Sequence, residues 1–462
     1  MAQFEPLDGR EWLALQLEDR HVHQHATTAC VLESGALARE GGGVDIDRIR
    51  EFVEARLYRV PLCRKRIARV PIEGRPVWVD DESFNLLYHV RHTHLPVPGD
   101  ERQLKRLCGR LASQRLDHER PLWELWIVEG LEGGDRFALV AKAHASVARG
   151  RWGLGLLEAL LAPAPDKEFG PGPAWLPQPE PGARELLEGS LRRRLRLPLA
   201  LARAAVGAAR EPDRLREQWD RTMAALREPP ASESPFSQAV GPHRRVDWLA
   251  LDATAFARTA ERYRVSTDAL LVALLSGALG AFLERRGLPF PFQRELELRA
   301  ALPDADEEPS EAEGGSLAWR LVELATAERD PTARVETAAE AYRTAPRVGF
   351  ELLARAAEWT PALLAPVARR ELRRRLASLM LTPLTPPPAM LHLLGARVLE
   401  MVPALPLPPG QALRVAVLPH GDALRVGFTA DWDLLPDLHD LVLATAEGFL
   451  ELDAAAPGSQ KG

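Results

Sequence analysis

In the first half of the chain, short apolar runs alternate with segments whose apolar residues recur at helical spacing. The apolar runs predict strands over residues 26–32, 60–64, 76–80 and 137–143. Helical spacing, with polar residues on the other face, is found over residues 12–17, 47–58, 101–114 and 154–161. The last strand and the last helix enclose a polar turn, so this turn is predicted to lie between two regular elements.

The second half of the chain continues this alternation. Strands are predicted over residues 296–302, 412–418 and 424–431. Helices are predicted over residues 252–264, over residues 265–280, from Asp330 onwards and at the C-terminal end. The segment over residues 265–280 is nearly all apolar, and Ser266 or Thr267 is its expected N-cap.

Between the two halves, prolines interrupt every regular pattern. Seven prolines fall within residues 163–182, which predicts a linker rather than a helix or strand. Residues 183–210 then have a helical pattern with a kink expected at Pro198, and they include an arginine-rich stretch over residues 192–196. This helix could lie on an anionic membrane surface or pack against its own protein, and we favour the second interpretation.

Composition narrows the class of protein. At 462 residues the chain is long enough for two domains, and its net charge of −6 gives no reason to expect a nucleic-acid partner. The cysteines are three in number and far apart, which favours a reducing cytoplasm over a disulfide framework or a zinc site. The start of the chain lacks the pattern of a signal peptide. No run reaches the roughly 18 apolar residues of a spanning helix, so any membrane contact is expected to be peripheral.

Histidines cluster in two places. His21, His23 and His25 alternate along the chain, so in an extended segment they would share a face and offer ligands to a metal. No fourth ligand is visible nearby, and a solvated strand entry is the simpler interpretation. The second group, His89, His92 and His94, is predicted to be structural or exposed rather than metal-binding. We therefore expect no metal site.

The polar turn carries the candidate chemistry. Residues 142–153 read Lys-Ala-His-Ala-Ser-Val-Ala-Arg-Gly-Arg-Trp-Gly, and a turn between a strand and a helix is a common mount for a reacting group. The stretch resembles the His-His-x-x-x-Asp-Gly signature of the wax ester synthase/diacylglycerol acyltransferase family, which has the chloramphenicol acetyltransferase fold. His144 falls on the first His and Gly150 on the Gly. Ala145 falls on the catalytic second His, and Arg149 falls on the Asp.

Other segments carry the same resemblance along nearly the whole chain. Pro-Leu-Trp-Glu from Pro121 and Tyr-His-Val-Arg-His from Tyr88 resemble family segments, and Trp123 also has the simpler interpretation of a core anchor. Asp268 keeps the second residue of the family's Asn-Asp pair. Four positions in these segments depart from the family pattern: Ser237, Thr267 and Pro383 each replace an Asn, and Pro386 replaces a Gly. Pro121, Trp123 and Asp268 are the candidates for the substrate cleft.

The resemblance implies an architecture. We expect an α/β protein of two chloramphenicol acetyltransferase-like subdomains, each a mixed sheet flanked by helices. The N-terminal subdomain would cover residues 1–165 and the C-terminal one residues 234–455. A Pro-rich linker and helical connector over residues 166–233 would join them, and residues 456–462 would form a tail.

The resemblance also raises a doubt about catalysis. In the family the second His removes the proton of a fatty alcohol or diacylglycerol, so that the oxygen attacks the thioester of acyl-CoA. Ala145 cannot accept a proton, and general base catalysis is typically worth about 10²- to 10⁴-fold in rate. His144 is the remaining candidate base, but neighbouring side chains at a strand end face opposite ways, so it would need a bulge. Arg149 reverses the family's charge, and the bulk of Trp152 would narrow the acceptor passage.

Two classes of function follow. One is an acyl-CoA-dependent O-acyltransferase that makes triacylglycerol or wax esters with His144 as a relocated base, or by positioning alone. The other, which we favour, is a non-catalytic paralogue that binds acyl-CoA or lipid, or that partners an active acyltransferase. Condensation domains of peptide synthesis share the fold and the motif, but the Pro-Leu-Trp-Glu segment favours the wax ester branch. We expect acyl-CoA as substrate or ligand, a neutral-lipid acceptor, no cofactor, and a cytoplasmic location with peripheral contact to the inner membrane or lipid droplets.

Overall fold

The computed structural model describes residues 4–147, 155–193, 195, 210–288, 296–304, 317–359 and 361–458. Its strands are β1 (Glu5–Pro6), β2 (His25–Glu33), β3 (Lys65–Arg69), β4 (Pro76–Asp80), β5 (Val90–His94), β6 (Trp123–Glu129), β7 (Arg136–His144), β8 (Arg244–Asp252), β9 (Arg299–Pro303), β10 (Ala318–Glu323), β11 (Arg347–Gly349), β12 (Leu379–Pro383), β13 (His392–Leu393), β14 (Ala396–Ala404), β15 (Leu413–His420) and β16 (Ala423–Asp431). They form two large sheets and one small sheet.

The helices cover the large sheets. They are α1 (Gly9–Leu17), α2 (Ile46–Arg56), α3 (Leu86–His89), α4 (Glu101–Ser113), α5 (Gly155–Leu160), α6 (183–193), α7 (Pro212–Arg227), α8 (Ala253–Tyr263), α9 (Thr267–Arg285), α10 (Pro331–Thr344), α11 (Glu351–Trp359), α12 (Pro361–Leu372) and α13 (Leu438–Ala455). Residues 163–182 contain neither helix nor strand, as their prolines predict.

Both large sheets are mixed, as expected. The N-terminal sheet has the order β13-β14-β2-β7-β6-β5, in which only β5 and β6 run parallel. The C-terminal sheet has the order β11-β10-β9-β12-β15-β16-β8, in which β12 runs parallel to both of its neighbours. Strands β13 and β14 follow β12 in the chain and yet complete the N-terminal sheet.

The two sheets meet where β14 crosses β16. A Cβ atom on Gly427 of β16 would lie 2.0 Å from the carbonyl oxygen of Pro403 in β14, so only glycine allows this approach. Beside this contact, Ala416 and Leu418 of β15 are buried in the N-terminal core. The seam between the subdomains is therefore lined on one side by part of the sheet face opposite α9. The far end of that face, with Ala301 and Leu321, packs instead on Ala225 of α7.

Helix α9 is the centre of the C-terminal core. Ser266 caps it, as predicted, because its side chain accepts a hydrogen bond from the backbone N–H of Ala269. Among the described residues, α9 is the one helix long and apolar enough to cross a membrane by length and composition. Of its apolar window, 72% is buried inside the protein, which is typical of a core helix.

One predicted strand is wrong. Residues 60–64 form a 3-10 helix over Pro61–Arg64, and the strand β3 begins only at Lys65. Pro61 has no N–H for a strand ladder and its fixed φ suits the first position of a helix. The indole Nε1 of Trp123 then binds the carbonyl oxygen of Cys63 at 2.7 Å and holds this turn.

The other predicted elements are present with small shifts at their ends. Strand β9 begins at Arg299, three residues later than the apolar run suggested. The acidic stretch from residue 305 to residue 316 lies outside the described residues. So do Arg194, Arg196 and most of the later part of the predicted 183–210 helix, with its expected kink at Pro198. The predicted subdomain boundaries stay a prediction.

Candidate functional site

The polar turn follows the end of β7. His144 is its last strand residue and pairs with His25 of β2 across the antiparallel ladder. The backbone N–H of Ala145 donates to the carbonyl of Gln24 at 2.7 Å, so the first residue of the turn is still tied to β2. The structure describes the turn as far as Val147. Three of the predicted motif residues lie outside the described residues: Arg149, Gly150 and Trp152.

The imidazole of His144 is completely buried, with 0% exposure. Its Nδ1 accepts a hydrogen bond from the backbone N–H of Ser146 at 3.1 Å and lies 2.7 Å from the hydroxyl of the same residue. A neutral imidazole with an accepting Nδ1 carries its proton on Nε2. That Nε2 faces Oε2 of Glu18 at 3.6 Å. Both ring nitrogens are therefore directed at groups of the protein itself.

Glu18, immediately after α1, is surrounded by histidines. Its side chain is 2% exposed, and its Oε1 lies 3.4 Å from Nε2 of His25. Its Oε2 lies 2.7 Å from Nε2 of His118, in the loop between α4 and β6. We call Glu18, His25, His118 and His144 the Glu18 cluster. Because its members come from four separate parts of the chain, the cluster ties α1, β2, β7 and this loop together.

The electrostatics of the cluster follow from burial and mutual contact. Burial by itself would raise the pKa of Glu18, but hydrogen bonding from His118 and His25 and the interaction with His144 outweigh it and hold the pKa far below its usual range. Burial lowers the pKa of His25 to about 3 and that of His144 to about 4. At neutral pH the cluster therefore holds one carboxylate and at least two neutral imidazoles.

These values bear on the chemistry that His144 can perform. An imidazole whose pKa lies near 7 suits general base catalysis, because it is both unprotonated and reasonably basic at neutral pH. His144, with its pKa at about 4, is unprotonated but a much weaker base. The neighbouring Lys142 is buried too, which lowers its pKa to about 8, and its Nζ donates to the carbonyl of Gln114. Neither side chain is directed into open space.

The histidines predicted as possible ligands have other partners. His25 belongs to the Glu18 cluster, and its ring stacks on that of His23 at 5.5 Å between centroids. No group of three or more His, Cys, Asp or Glu side chains in the described parts of the chain is arranged to hold a metal ion. In the Glu18 cluster His118 contacts the carboxylate directly, which leaves no space for a cation between them. His89 is buried and its Nδ1 lies 2.8 Å from the carbonyl oxygen of Trp123.

The cleft candidates fall in two separate places. Pro121 and Trp123 flank Leu122, whose carbonyl accepts a hydrogen bond from the backbone N–H of His144 at 3.0 Å. Trp123 is fully buried and stacks on the ring of His89 at 4.7 Å, the packing expected of a core anchor. Asp268, in the first turn of α9, instead accepts a hydrogen bond from the hydroxyl of Tyr342 at 2.9 Å.

Sequence reasoning missed Glu18 and His118. Glu18 lies beyond the end of the apolar pattern that predicts the first helix. His118 lies in a charged stretch, Asp-His-Glu-Arg, whose composition is typical of a solvated turn. Neither position has a spacing that relates it to His144. The signal that could have pointed to them is the unusual number of histidines near the ends of two predicted strands.

Comparison with known proteins gives a consistent result. The wax ester synthase/diacylglycerol acyltransferase catalytic domain matches residues 7–267, and the C-terminal domain of the same group matches residues 314–453. A provisionally named diacylglycerol O-acyltransferase of Mycobacterium tuberculosis is 31% identical over 97% of this chain and 89% of its own length. A second such protein of that organism is 27% identical over 97% of this chain and 96% of its own length.

Solved structures show the same fold. The wax ester synthase/diacylglycerol acyltransferase from Marinobacter aquaeolei VT8 superposes with a TM-score of 0.68 at 21% identity, over 98% of this chain and 99% of its own. A starter condensation domain of rhizomide synthetase, solved in complex with C8-CoA and Leu-SNAC, superposes with a TM-score of 0.57 at 14% identity. That match covers 100% of this chain and 96% of the condensation domain.

Proposed function

Because the chain belongs to the wax ester synthase/diacylglycerol acyltransferase family, we propose that it binds acyl-CoA or a related lipid between its subdomains without performing the family's acyl transfer. The observation that carries this proposal is the turn after β7. Ala145 offers only a methyl group at the position of the family's base, and the neighbouring His144 is enclosed.

The case against a relocated base rests on access and basicity. A general base must come within hydrogen-bond reach of the proton that it removes, about 2.6–3.2 Å between heavy atoms. His144 has no exposed surface, its Nδ1 accepts from Ser146, and its Nε2 faces a carboxylate. Its lowered pKa, about 4, also makes it a poor acceptor of an alcohol proton. An acceptor alcohol would have to displace Ser146 before it could reach the ring.

The binding half of the proposal is supported by the fold. Condensation domains of this fold have been solved with C8-CoA bound, and the family to which the chain belongs acts on acyl groups. Acyl-CoA would then be a ligand of this protein rather than a cofactor. We extend the proposal to a cytoplasmic protein that partners an active acyltransferase and contacts the inner membrane or lipid droplets peripherally.

The test is acyl transfer by the purified protein from radiolabelled palmitoyl-CoA to hexadecanol and to dioleoylglycerol. We expect no turnover above that of a His144→Ala variant, while calorimetry detects binding of palmitoyl-CoA. The double variant Ala145→His with Arg149→Asp is expected to gain activity, and Ala145→Asn with Arg149→Asp is its matched control without a base. Turnover by the natural chain that vanishes in His144→Ala would overturn the proposal and establish an active acyltransferase with a relocated base. Absence of palmitoyl-CoA binding would overturn the binding half.

A further inference from the structure

The alternation of side chains along β15 places one arginine between the subdomains. Leu413, Val415 and Val417 pack into the C-terminal core with the helices. Residues in between face the other way, since side chains alternate across a strand, and Ala416 and Leu418 are buried against the N-terminal core. Arg414 belongs to the same face as Ala416 and Leu418, so its side chain starts from the seam between the subdomains.

Within the described residues, the guanidinium of Arg414 has no carboxylate at ion-pair distance. Its Nη1 donates to the carbonyl oxygen of Pro406 at 2.9 Å and its Nη2 to the hydroxyl of Thr382 at 3.3 Å. Its Nε is buried and has no hydrogen-bond partner in the part of the chain that the structure describes. Four buried arginines, by contrast, each lie close to a carboxylate: Arg221, Arg244, Arg320 and Arg334. A fifth, Arg64, lies 4.8 Å above the ring of Trp175.

Arg414 is surrounded by protein and still reached by solvent. Burial lowers the pKa of its guanidinium to about 10, which leaves it charged at neutral pH. The residue nevertheless keeps an intermediate exposure to solvent. Solvent therefore reaches part of this charged side chain. Leaving such a cation without a counter-charge is costly, and an anionic ligand would relieve that cost.

This position lies close to the polar turn after β7. The backbone of Ala145 is bonded to Gln24, and the side chain of Gln24 reaches the carbonyl oxygen of Leu407 at 3.5 Å. Leu407 follows Pro406, whose carbonyl holds Arg414. The guanidinium is thus connected to the turn through one side chain and one short segment, and both border the seam.

Two threonines complete a set of hydrogen-bonding groups around the guanidinium. Thr429 of β16 is the cross-strand partner of Arg414, and its buried hydroxyl has no hydrogen-bond partner among the described residues. Thr382 already contacts Nη2. The Nε and Nη2 groups lie along one edge of a guanidinium, which is the edge that binds a carboxylate through two parallel hydrogen bonds. A carboxylate there could accept a further hydrogen bond from Thr429.

We propose that Arg414, with Thr429 and Thr382 beside it, binds the carboxylate of a free long-chain fatty acid in the space between the subdomains. The charge balance selects this ligand class, because one unneutralised cation matches one carboxylate, whereas the phosphates of CoA bring several negative charges. The proposal rests on the proposed function in so far as that function places a lipid-binding cleft at this seam. This proposal adds a specific residue, Arg414, that binds the ligand's charged end. It also adds a class of ligand, a free fatty acid, that is neither a thioester nor a neutral lipid.

The test compares the binding of palmitate, hexadecanol and CoA by calorimetry. Arg414→Gln is expected to weaken palmitate binding about 10- to 100-fold, the usual effect of losing a charge-assisted hydrogen bond, and to leave hexadecanol binding unchanged. Arg414→Lys keeps the positive charge but cannot form two parallel hydrogen bonds to a carboxylate. Its palmitate affinity should lie between those of the natural protein and Arg414→Gln. Arg425→Gln is the matched control: Arg425 lies on the neighbouring strand of the same sheet face and is paired with Glu400 at 3.1 Å.

The outcomes separate the alternatives. Equal palmitate affinity in the natural protein and Arg414→Gln overturns the proposal, and so does an equal loss of palmitate and hexadecanol binding. Weaker CoA binding in Arg414→Gln with unchanged palmitate binding would assign the guanidinium to a phosphate and overturn it as well. If palmitoyl-CoA fails to bind while palmitate binds through Arg414, the proposed function fails and this proposal stands. If Arg414→Gln does not fold, the palmitate and hexadecanol affinities of Arg414→Lys and Thr429→Val are compared with those of the natural protein in the same way.

Discussion

Each of the two subdomains contains an ionised side chain that lies within the protein, and the two side chains differ in the partners that surround them. In the N-terminal subdomain the carboxylate of Glu18 faces three imidazoles at 2.7–3.6 Å. At the C-terminal sheet the guanidinium of Arg414 donates hydrogen bonds to two neutral oxygens, and no described residue is a partner of its Nε. Burying a charge costs several kcal/mol unless partners compensate for it.

The difference indicates two different roles. A charge whose partners come from four parts of the chain holds those parts together, so Glu18 is a structural residue. A charge that the protein leaves unneutralised costs stability in the free state, and that cost is recovered only when an anion arrives. We therefore infer that Glu18 stabilises the turn after β7 and that Arg414 is available to a ligand. Substitutions at each of the two residues can test this difference.

The largest effect is expected for Glu18→Leu. The substitution removes a buried carboxylate that lies 2.7–3.6 Å from the buried imidazoles of His25 and His144 and from that of His118, which is 28% exposed. Removing one partner from a buried charged cluster costs about 3–5 kcal/mol, so we expect a loss of this size in the free energy of unfolding. Urea denaturation followed by circular dichroism measures it. Glu51→Gln, on the exposed face of α2, is the control and should change stability by less than about 0.5 kcal/mol. A loss in Glu18→Leu no larger than that of the control would show that the cluster is not structural.

The next effect is a dependence of stability on pH. Burial lowers the pKa of His144 to about 4 from the ordinary value of 6.5, so the unfolded chain takes up a proton before the folded protein does. Stability is therefore full above about pH 6.5 and falls as the pH drops toward 4, by about 3 kcal/mol for this residue. His25 acts in the same direction, and the lowered pKa of Glu18 adds a further loss below about pH 4.5.

Thermal unfolding at a series of pH values between 4 and 7 measures this dependence. A His144→Gln variant should show a shallower slope over that range, because one of the titrating groups is gone. The exposed His243, directly before β8, provides the control through His243→Gln, which should leave the slope unchanged. A natural protein whose stability is flat from pH 7 to pH 4 would contradict the buried, neutral state of His144.

Much of the fold follows from local patterns, and the Glu18 cluster does not. The apolar run over residues 137–143 identifies β7 and so places His144 at a strand end, because a buried strand needs only its own side chains to be recognised. The apolar run over residues 60–64 wrongly predicts a strand where the 3-10 helix Pro61–Arg64 lies, since the hydrogen bond that holds this turn comes from Trp123, 60 residues away. The same reason hides the cluster: the pairing of β2 with β7 brings His25 beside His144, and Glu18 and His118 reach them from two other parts of the chain.

The seam between the subdomains was hidden for a similar reason. Strand β14 lies in the second half of the chain and pairs with β2 in the first, a connection that no local pattern indicates. The alternation along β15 does predict that Arg414 and Ala416 share a face. It cannot predict that the surrounding oxygens come from Pro406 and Thr382, or that no carboxylate of the described residues lies there, because those contacts depend on the packing of separate strands.

The smallest expected effect tests the other half of the comparison. Arg414→Met keeps the length of the side chain and removes a charge that has no counter-ion within the described structure, so we expect the ligand-free protein to become more stable by about 1–2 kcal/mol. Arg425→Met removes a charge paired with Glu400 and should instead lower stability slightly. Urea denaturation of both variants after removal of bound lipid measures the difference.

If Arg414→Met is destabilised as much as Arg425→Met, the charge of the guanidinium is compensated inside the protein, and the contrast with Glu18 disappears. If it is stabilised, and excess palmitate raises the stability of the natural protein alone, then the charge is retained for a ligand at a cost to the free protein.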